Sequence, residues 1–264
     1  MKLGLEGKTA LVTGSTAGIG FATAVRLAEE GAAVVINGRT DLRVAKAAAE
    51  IRKQVPKAQV RGAAADISMG AGCRQLISEQ PEVDVLVNNM GIFEPKPFLE
   101  IPDEDWLRFF EANVMSGVRL ARHYLRGMLA KKWGRVVFVS SESAVQIPAE
   151  MVHYGMTKTA QTAVARGIAE SFPASGVTIN SVLAGPTNSE GVAGFVAQIA
   201  KQRGVSPETV EQEFFSTARP SSLLKRFIRT EEVANFIAYL CSEAASATTG
   251  SALRVDGGVV RAVL

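Results

Sequence analysis

Short, nearly uninterrupted apolar runs alternate along this chain with longer stretches whose apolar positions recur at helical spacing. The runs KTALVTG (8–14), AAVVING (32–38), AQVRGAAAD (58–66), VDVLVNN (83–89), GRVVFVSS (134–141), GVTINSVLAG (176–185) and SALRVDGG (251–258) read as β-strands. They are continuous rather than alternating, which predicts parallel strands covered on both faces. Helices are expected near 18–30, 41–55, 103–131, 155–172 and 230–243. Repeated β-α units of this kind predict one α/β domain over 1–264, a Rossmann-like doubly wound parallel sheet of about seven strands with helices on both faces. Residues 186–229 break the rhythm. They carry no clear strand but hold Phe195, Val196, Ile199, Phe214 and Phe215, so a lid-like insertion is expected there.

Composition narrows the picture without supplying chemistry. Hydrophobic residues make up 47% and charged residues 21%, as expected of a soluble protein with a sizeable core. A net charge of +3, with dispersed lysines and arginines, argues against a nucleic-acid partner. Cys73 and Cys241 lie far apart without metal-ligand spacing, which suits a reduced, cytoplasmic chain. No apolar run is long enough to span a membrane, and the start has too short a one for a signal peptide. His123 and His153 belong to no carboxylate–histidine cluster, so no metal is expected.

The first chemical signal is TGSTAGIG (13–20), between the first strand and the first helix. Gly14, Gly18 and Gly20 would let backbone approach a pyrophosphate at the positive end of a helix, or would simply make a tight turn. The second strand ends in INGRT, without the carboxylate that would hold the ribose of NAD. Arg39 there could pair with the 2′-phosphate of NADP, or lie exposed beside Asp41. Asp66, after the third strand, could meet an adenine edge or cap a helix over 67–80.

Taken in series, TGSTAGIG, NNMG (88–91), the serines 140–141, YGMTK and NSVLAG resemble the motifs of the short-chain dehydrogenase/reductase family, 3-oxoacyl-thioester reductases included. The resemblance runs over essentially the whole chain. It implies a nicotinamide cofactor, NADP with NAD as the alternative, and a small-molecule ketone or secondary alcohol as substrate. It matches Asn113, Ser141, Tyr154 and Lys158 to the family's catalytic positions; Ser141 is preferred to Ser140 for its spacing to the tyrosine. Candidate cofactor contacts are Gly14, Ser15, Thr16, Gly18, Ile19, Gly20, Arg39, Asp66, Ile67, Asn89, Gly91, Tyr154, Lys158, Gly185, Thr187 and Ser189. Thr187 and Ser189 are alternatives for the nicotinamide carboxamide.

In that role the pair has a physical logic. Tyr154 and Lys158 lie one helical turn apart. An ammonium about 6 Å from a phenol is worth roughly 3 kcal/mol at an effective dielectric near 20, so the phenol pKa is expected to fall by about two units. Tyr154 would then exchange protons with the substrate oxygen, Ser141 would hydrogen-bond that oxygen, and Lys158 would also bind the nicotinamide ribose. Asn113 would help hold a proton-relaying water, as the family implies.

Departures from the family pattern concern pocket shape. Met90 replaces a usual alanine near the nicotinamide, Ala184 a usual proline, and Glu142–Ala144 lacks a common glycine. Glu142, Gln146, Met151, His153, Pro186 and residues 190–217 are the expected pocket walls, although His153 would suit the surface equally well. Extra apolar positions on helices 103–131 and 155–172 suggest a homo-oligomer, tetramer or dimer. The competing reading is a catalytically silent NAD(P)-sensing protein of the same fold.

Overall fold

The computed structural model describes residues 3–263, apart from the side chain of Phe195, which lies outside the described residues. Seven parallel strands form one sheet: β1 (Thr9–Val12), β2 (Ala33–Gly38), β3 (Val60–Ala64), β4 (Val85–Asn88), β5 (Gly134–Ser141), β6 (Val177–Ala184) and β7 (Ala252–Val255). Their order is β3-β2-β1-β4-β5-β6-β7. Successive residues of the inner strands go to opposite cores, as the two-residue repeat requires. Ala10 and Val12 of β1 pack on one side and Leu11 on the other; Val137 and Val139 of β5 oppose Val136 and Phe138. The first core is closed by α1 (Gly18–Glu29), α2 (Asp41–Gln54) and α9 (Thr230–Leu240). The second is closed by α3 (Gly70–Glu79), α5 (Ser116–Lys131) and α6 (Val152–Ser171). Burial on both faces, inferred from the sequence, fails only at the sheet edges, where Arg61, Gly62, Ala252 and Arg254 are exposed.

Two helices depart from expectation in ways that matter for the site. The stretch expected as one helix over 103–131 is α4 (Asp103–Phe110), a π-helical turn (Glu111–Met115) and α5. The wider turn carries Asn113, and such bulges are frequent at functional sites. Helix α3 starts only at Gly70, because Asp66 closes a turn of its own: its carboxylate accepts from the Ser68 N–H at 3.1 Å and hydroxyl at 2.7 Å. Asp66 therefore caps no helix beginning at 67; Met69 occupies the cap position.

The insertion is helical. Ser189 caps α7 (Glu190–Arg203), Gly204 ends it at φ 65°, and Ser206 with Pro207 starts α8 (Pro207–Thr217). The base is tied by a parallel bridge between Thr187 and Ile228.

Behind the site, α6 packs on α4 through an unusual residue. His153 is fully buried, its ring centroid 4.1 Å from that of Phe109 and 6.0 Å from that of Trp106. It is neither a surface residue nor a pocket wall, because the roughly 100° step from Tyr154 turns it into the helix interface. Neither ring nitrogen has a hydrogen-bond partner. Burial pushes its pKa down; Asp105 and Glu94 oppose this, and Lys96 and Arg108 reinforce it. The unfolded chain thus takes up the proton first as pH falls below about 6.5, so stability present above that pH is lost below it. The melting temperature is expected to fall more steeply between pH 7 and pH 5 in the wild type than in His153→Phe. Equal slopes would show that the buried imidazole does not set the acid limit.

Candidate active site

Strands β1, β4, β5 and β6 end side by side at one edge of the sheet, where the strand order reverses between β1 and β4. Ligands of open α/β sheets bind at such a switch point. A cleft of about 500 Å³ opens there, lined by residues that follow each of the four strands: Ile19, Asn89, Gly91, Ser141, Gly185 and Thr187 among them. Its roof is apolar and comes from the insertion, with Val192, Val196, Ile199, Val210, Phe214 and Phe227.

The floor is built by α6 lying against β5. Lys158 donates from Nζ to the Val139 carbonyl at 3.0 Å, and the Ser140 hydroxyl donates to the Lys158 carbonyl at 2.8 Å. Ser140 is consumed in this tie, which leaves Ser141 as the serine beside the reacting space. Tyr154 lies half-buried on the same helix, with Lys158 Nζ 5.5 Å from its ring centroid. Phe93 meets the tyrosine edge-on at 6.3 Å.

The electrostatics overturn the simple pairing argument. Burial pushes the Tyr154 phenol up, the Glu142 carboxylate adds to this, and a Ser141 hydrogen bond and Arg219 pull the other way. Burial pushes Lys158 down to about 8, opposed by Glu142. The sequence estimate took the ammonium's attraction without the cost of desolvating both groups, and desolvation dominates. The surrounding protein therefore favours a phenol that carries its proton.

Asn113 and Gln161 complete the floor. The Asn113 amide accepts from the Ile92 N–H at 2.7 Å and donates to the Ile92 carbonyl and to Thr157, both at 3.0 Å. Its side chain clamps the loop after β4. Gln161 is the residue that sequence reasoning missed. It accepts from Lys158 Nζ at 3.1 Å and donates to the Asn113 carbonyl at 2.7 Å. A buried glutamine one turn beyond the lysine was its only signal in the chain.

The glycine turn fits a dinucleotide. A Cβ on Gly20 would stand 2.4 Å from Asn89 Nδ2 and 2.6 Å from the Gly14 carbonyl. One on Gly18, where φ is +60°, would enter the gap facing Ser189, 3.3 Å from its Cβ. The turn is thus closely packed behind and bare in front, at the N-terminus of α1, as a phosphate cradle requires. Asn89 holds it by donating to the Thr13 and Gly14 carbonyls at 2.9 and 3.1 Å. Arg39 projects, exposed, from the end of β2, with no hydrogen bond or ion pair to another described residue, Asp41 included.

Other candidates are placed differently. The Ser15 hydroxyl is buried, donating to the Val12 carbonyl at 2.6 Å and accepting from the Asn37 N–H at 3.0 Å, so it shapes the turn from behind. Thr16 packs at Gly38 beside Arg39. Ile67 has its side chain in the second core, which leaves only its main chain for contact with a ligand. Thr187 donates to the Gly185 carbonyl at 2.9 Å, and Ser189 caps α7; both line the cleft. Met90 packs into the second core and does not line the cleft, and Gln146 donates to Ser221 instead of facing it. Among the described residues no cluster of three metal-ligating side chains occurs, and no helix is long and apolar enough to cross a membrane.

Comparison with known proteins gives a consistent result. The sequence pattern of the family described as enoyl-(acyl carrier protein) reductase matches residues 14–260. The oxidoreductase YvaG of Bacillus subtilis is 49% identical, with both chains covered completely. The 3-oxoacyl-(acyl carrier protein) reductase of Aquifex aeolicus is 32% identical over 98% of this chain and 100% of its own. The crystal structure of L-sorbose reductase from Gluconobacter frateurii, complexed with NADPH and L-sorbose, superposes with a TM-score of 0.93 at 32% identity, each chain fully covered. With one family's pattern running from the glycine turn to the last strand, and its fold reproduced throughout, this chain belongs to the short-chain dehydrogenase/reductase family of oxidoreductases.

Proposed function

We propose that the protein moves hydride between NADP(H) and a ketone or secondary alcohol, with Tyr154 as the general acid/base. The observation that carries this reading is convergence: Ser141, Tyr154 and Lys158 line the same cleft as Ile19, Gly91 and Gly185 from the ends of the other strands. A bound nicotinamide supplies or takes up the hydride; the chain holds it and handles the proton. Gly14, Gly18 and Gly20 would receive the phosphates, and Thr187 or Ser189 the carboxamide. Arg39 supports NADP, because a free guanidinium stands where NAD-binding members of such folds offer a carboxylate. The NADPH in the sorbose reductase complex, and the NADP bound to a 3-oxoacyl (acyl-carrier-protein) reductase from Agrobacterium tumefaciens, point the same way.

The surrounding protein favours the protonated phenol, which supports Tyr154 as the group that would give a proton to a carbonyl oxygen when the substrate is reduced. Lys158, tied to Val139 and Gln161, has one N–H left, and an added Cβ on Gly91 would lie 3.5 Å from its Nζ. That proximity to the cleft supports its assignment to the cofactor ribose. Asn113 acts through the Ile92 loop and Gln161, as a positioning residue. The half-buried apolar groove between α5 and α6, with Val118, Leu129, Val164, Ile168 and Phe172, supports a homo-oligomer paired along these helices. A monomeric mass in solution would overturn that part.

Tyr154→Phe is expected to keep its affinity for NADPH while turnover of any ketone substrate falls by about a hundredfold or more. Steady-state rates with NADPH binding followed by fluorescence test this, and retained turnover would remove the tyrosine from the reaction. Arg39→Ala is expected to weaken NADPH by about tenfold or more and NADH little. Equal weakening of the two would reverse the cofactor preference.

A further inference from the structure

Beside the reacting groups, the cleft contains an ion-pair chain that the proton and hydride chemistry does not use. The Ser141 hydroxyl donates to Glu142 Oε2. Glu142 Oε1 accepts from Arg219 Nε at 3.1 Å, and Arg219 Nη1 donates to Glu150 Oε1 at 3.1 Å. Glu142 and Arg219 are 4% and 7% exposed, so this is a buried carboxylate paired with a buried guanidinium. All four residues line the cleft.

The arrangement contains a conflict over one proton. A serine hydroxyl has a single hydrogen to give, and Glu142 competes for it with the Tyr154 oxygen, while the Ser141 oxygen accepts from the Ser143 N–H at 3.1 Å. The proposed reaction asks the same hydrogen to stabilise a substrate carbonyl oxygen. Turning it away from Glu142 strips a buried carboxylate of a donor, which is costly unless another donor replaces it. A hydroxyl on the carbon beside the carbonyl would supply such a donor.

We infer that the substrate is a neutral α-hydroxy ketone, whose hydroxyl donates to Glu142 and thereby releases the Ser141 proton to the neighbouring carbonyl oxygen. This rests on the carbonyl-reductase reading of the site. The reaction balances as before: hydride from NADPH adds to the carbonyl carbon, the Tyr154 proton goes to the carbonyl oxygen, and a vicinal diol and NADP+ leave. A 3-oxoacyl thioester brings no donor next to its ketone. A 2-oxo acid would set a second carboxylate against Glu142, while Arg219 is already engaged by Glu142 and Glu150. Glu142 is therefore a specificity-determining residue.

The test uses an isosteric pair, 1-hydroxybutan-2-one and pentan-3-one, with NADPH. The wild-type kcat/KM is expected to favour the hydroxy ketone by about tenfold or more, the worth of a hydrogen bond to a buried charge. Glu142→Ala should lower that ratio about tenfold, and Glu142→Gln, which keeps the shape and one acceptor oxygen, by less. A general loss of structure would reduce both rates alike and leave the ratio unmoved. Calorimetry of the NADPH-saturated protein, in which neither alcohol turns over, should show butane-1,2-diol binding more tightly than pentan-3-ol in the wild type, with the difference reduced in Glu142→Gln. An unchanged ratio in both variants, or turnover of pentan-3-one or a 3-oxoacyl thioester in preference to the hydroxy ketone, overturns the inference and leaves the carbonyl-reductase reading standing. Turnover of no ketone with either NADPH or NADH overturns both.

Discussion

Helix α6 is fastened to strand β5 by two reciprocal hydrogen bonds, Lys158 Nζ to the Val139 carbonyl and the Ser140 hydroxyl to the Lys158 carbonyl. Each residue spends a group on the other's element, so helix and strand cannot slide or rotate independently. Everything reactive hangs from this joint. Ser141 continues the strand, Tyr154 lies one turn before the lysine, and Gln161 one turn after it carries the tie on to Asn113 in the π-helical turn. Joining the ammonium to the main chain requires burying it, and burial is what brings Lys158 down to about 8.

The same burial gives Tyr154 its character. A lysine one turn away would make an exposed phenol more acidic, but a desolvated phenol beside the Glu142 carboxylate holds its proton. Burial and the Glu142 charge thus act in the same sense on the phenol. A positive nicotinamide ring in the oxidised complex would act against this, as any added cation near a phenolate does, so the protein's own field and the cofactor's charge work in opposite senses at the two ends of the reaction.

Glu142 links the floor to the roof. It accepts from Ser141 below and from Arg219, just beyond α8, above, so the charge that tunes the tyrosine also pins the end of the insertion. Closure over the cleft and polarity within it therefore share one ion pair. The rest of the roof is apolar, with Phe214 and Phe227 stacked at 5.2 Å.

Much was legible in one dimension because it is local. Seven apolar runs, their parallel arrangement, the glycine turn at the first helix and the matching of Ser141, Tyr154 and Lys158 to one site all follow from spacing and from a resemblance carried by contiguous motifs. Element interiors were readable; the ends of α3 and α6 were not, since Asp66 binding Ser68 and the backbone-closed 3-10 turn Ala149–Met151 depend on local partners that no periodicity reports. Which way each polar group points was decided only by tertiary structure. His153, Met90 and Ile67 go to cores, Asn113 clamps a backbone instead of facing the cleft, and Gln161 enters the lysine's shell. Arg219 reaches Glu142 across 77 residues of chain. The reason is physical: periodicity encodes which face is apolar, whereas desolvation and charge pairing depend on distances between segments that the linear order leaves undetermined.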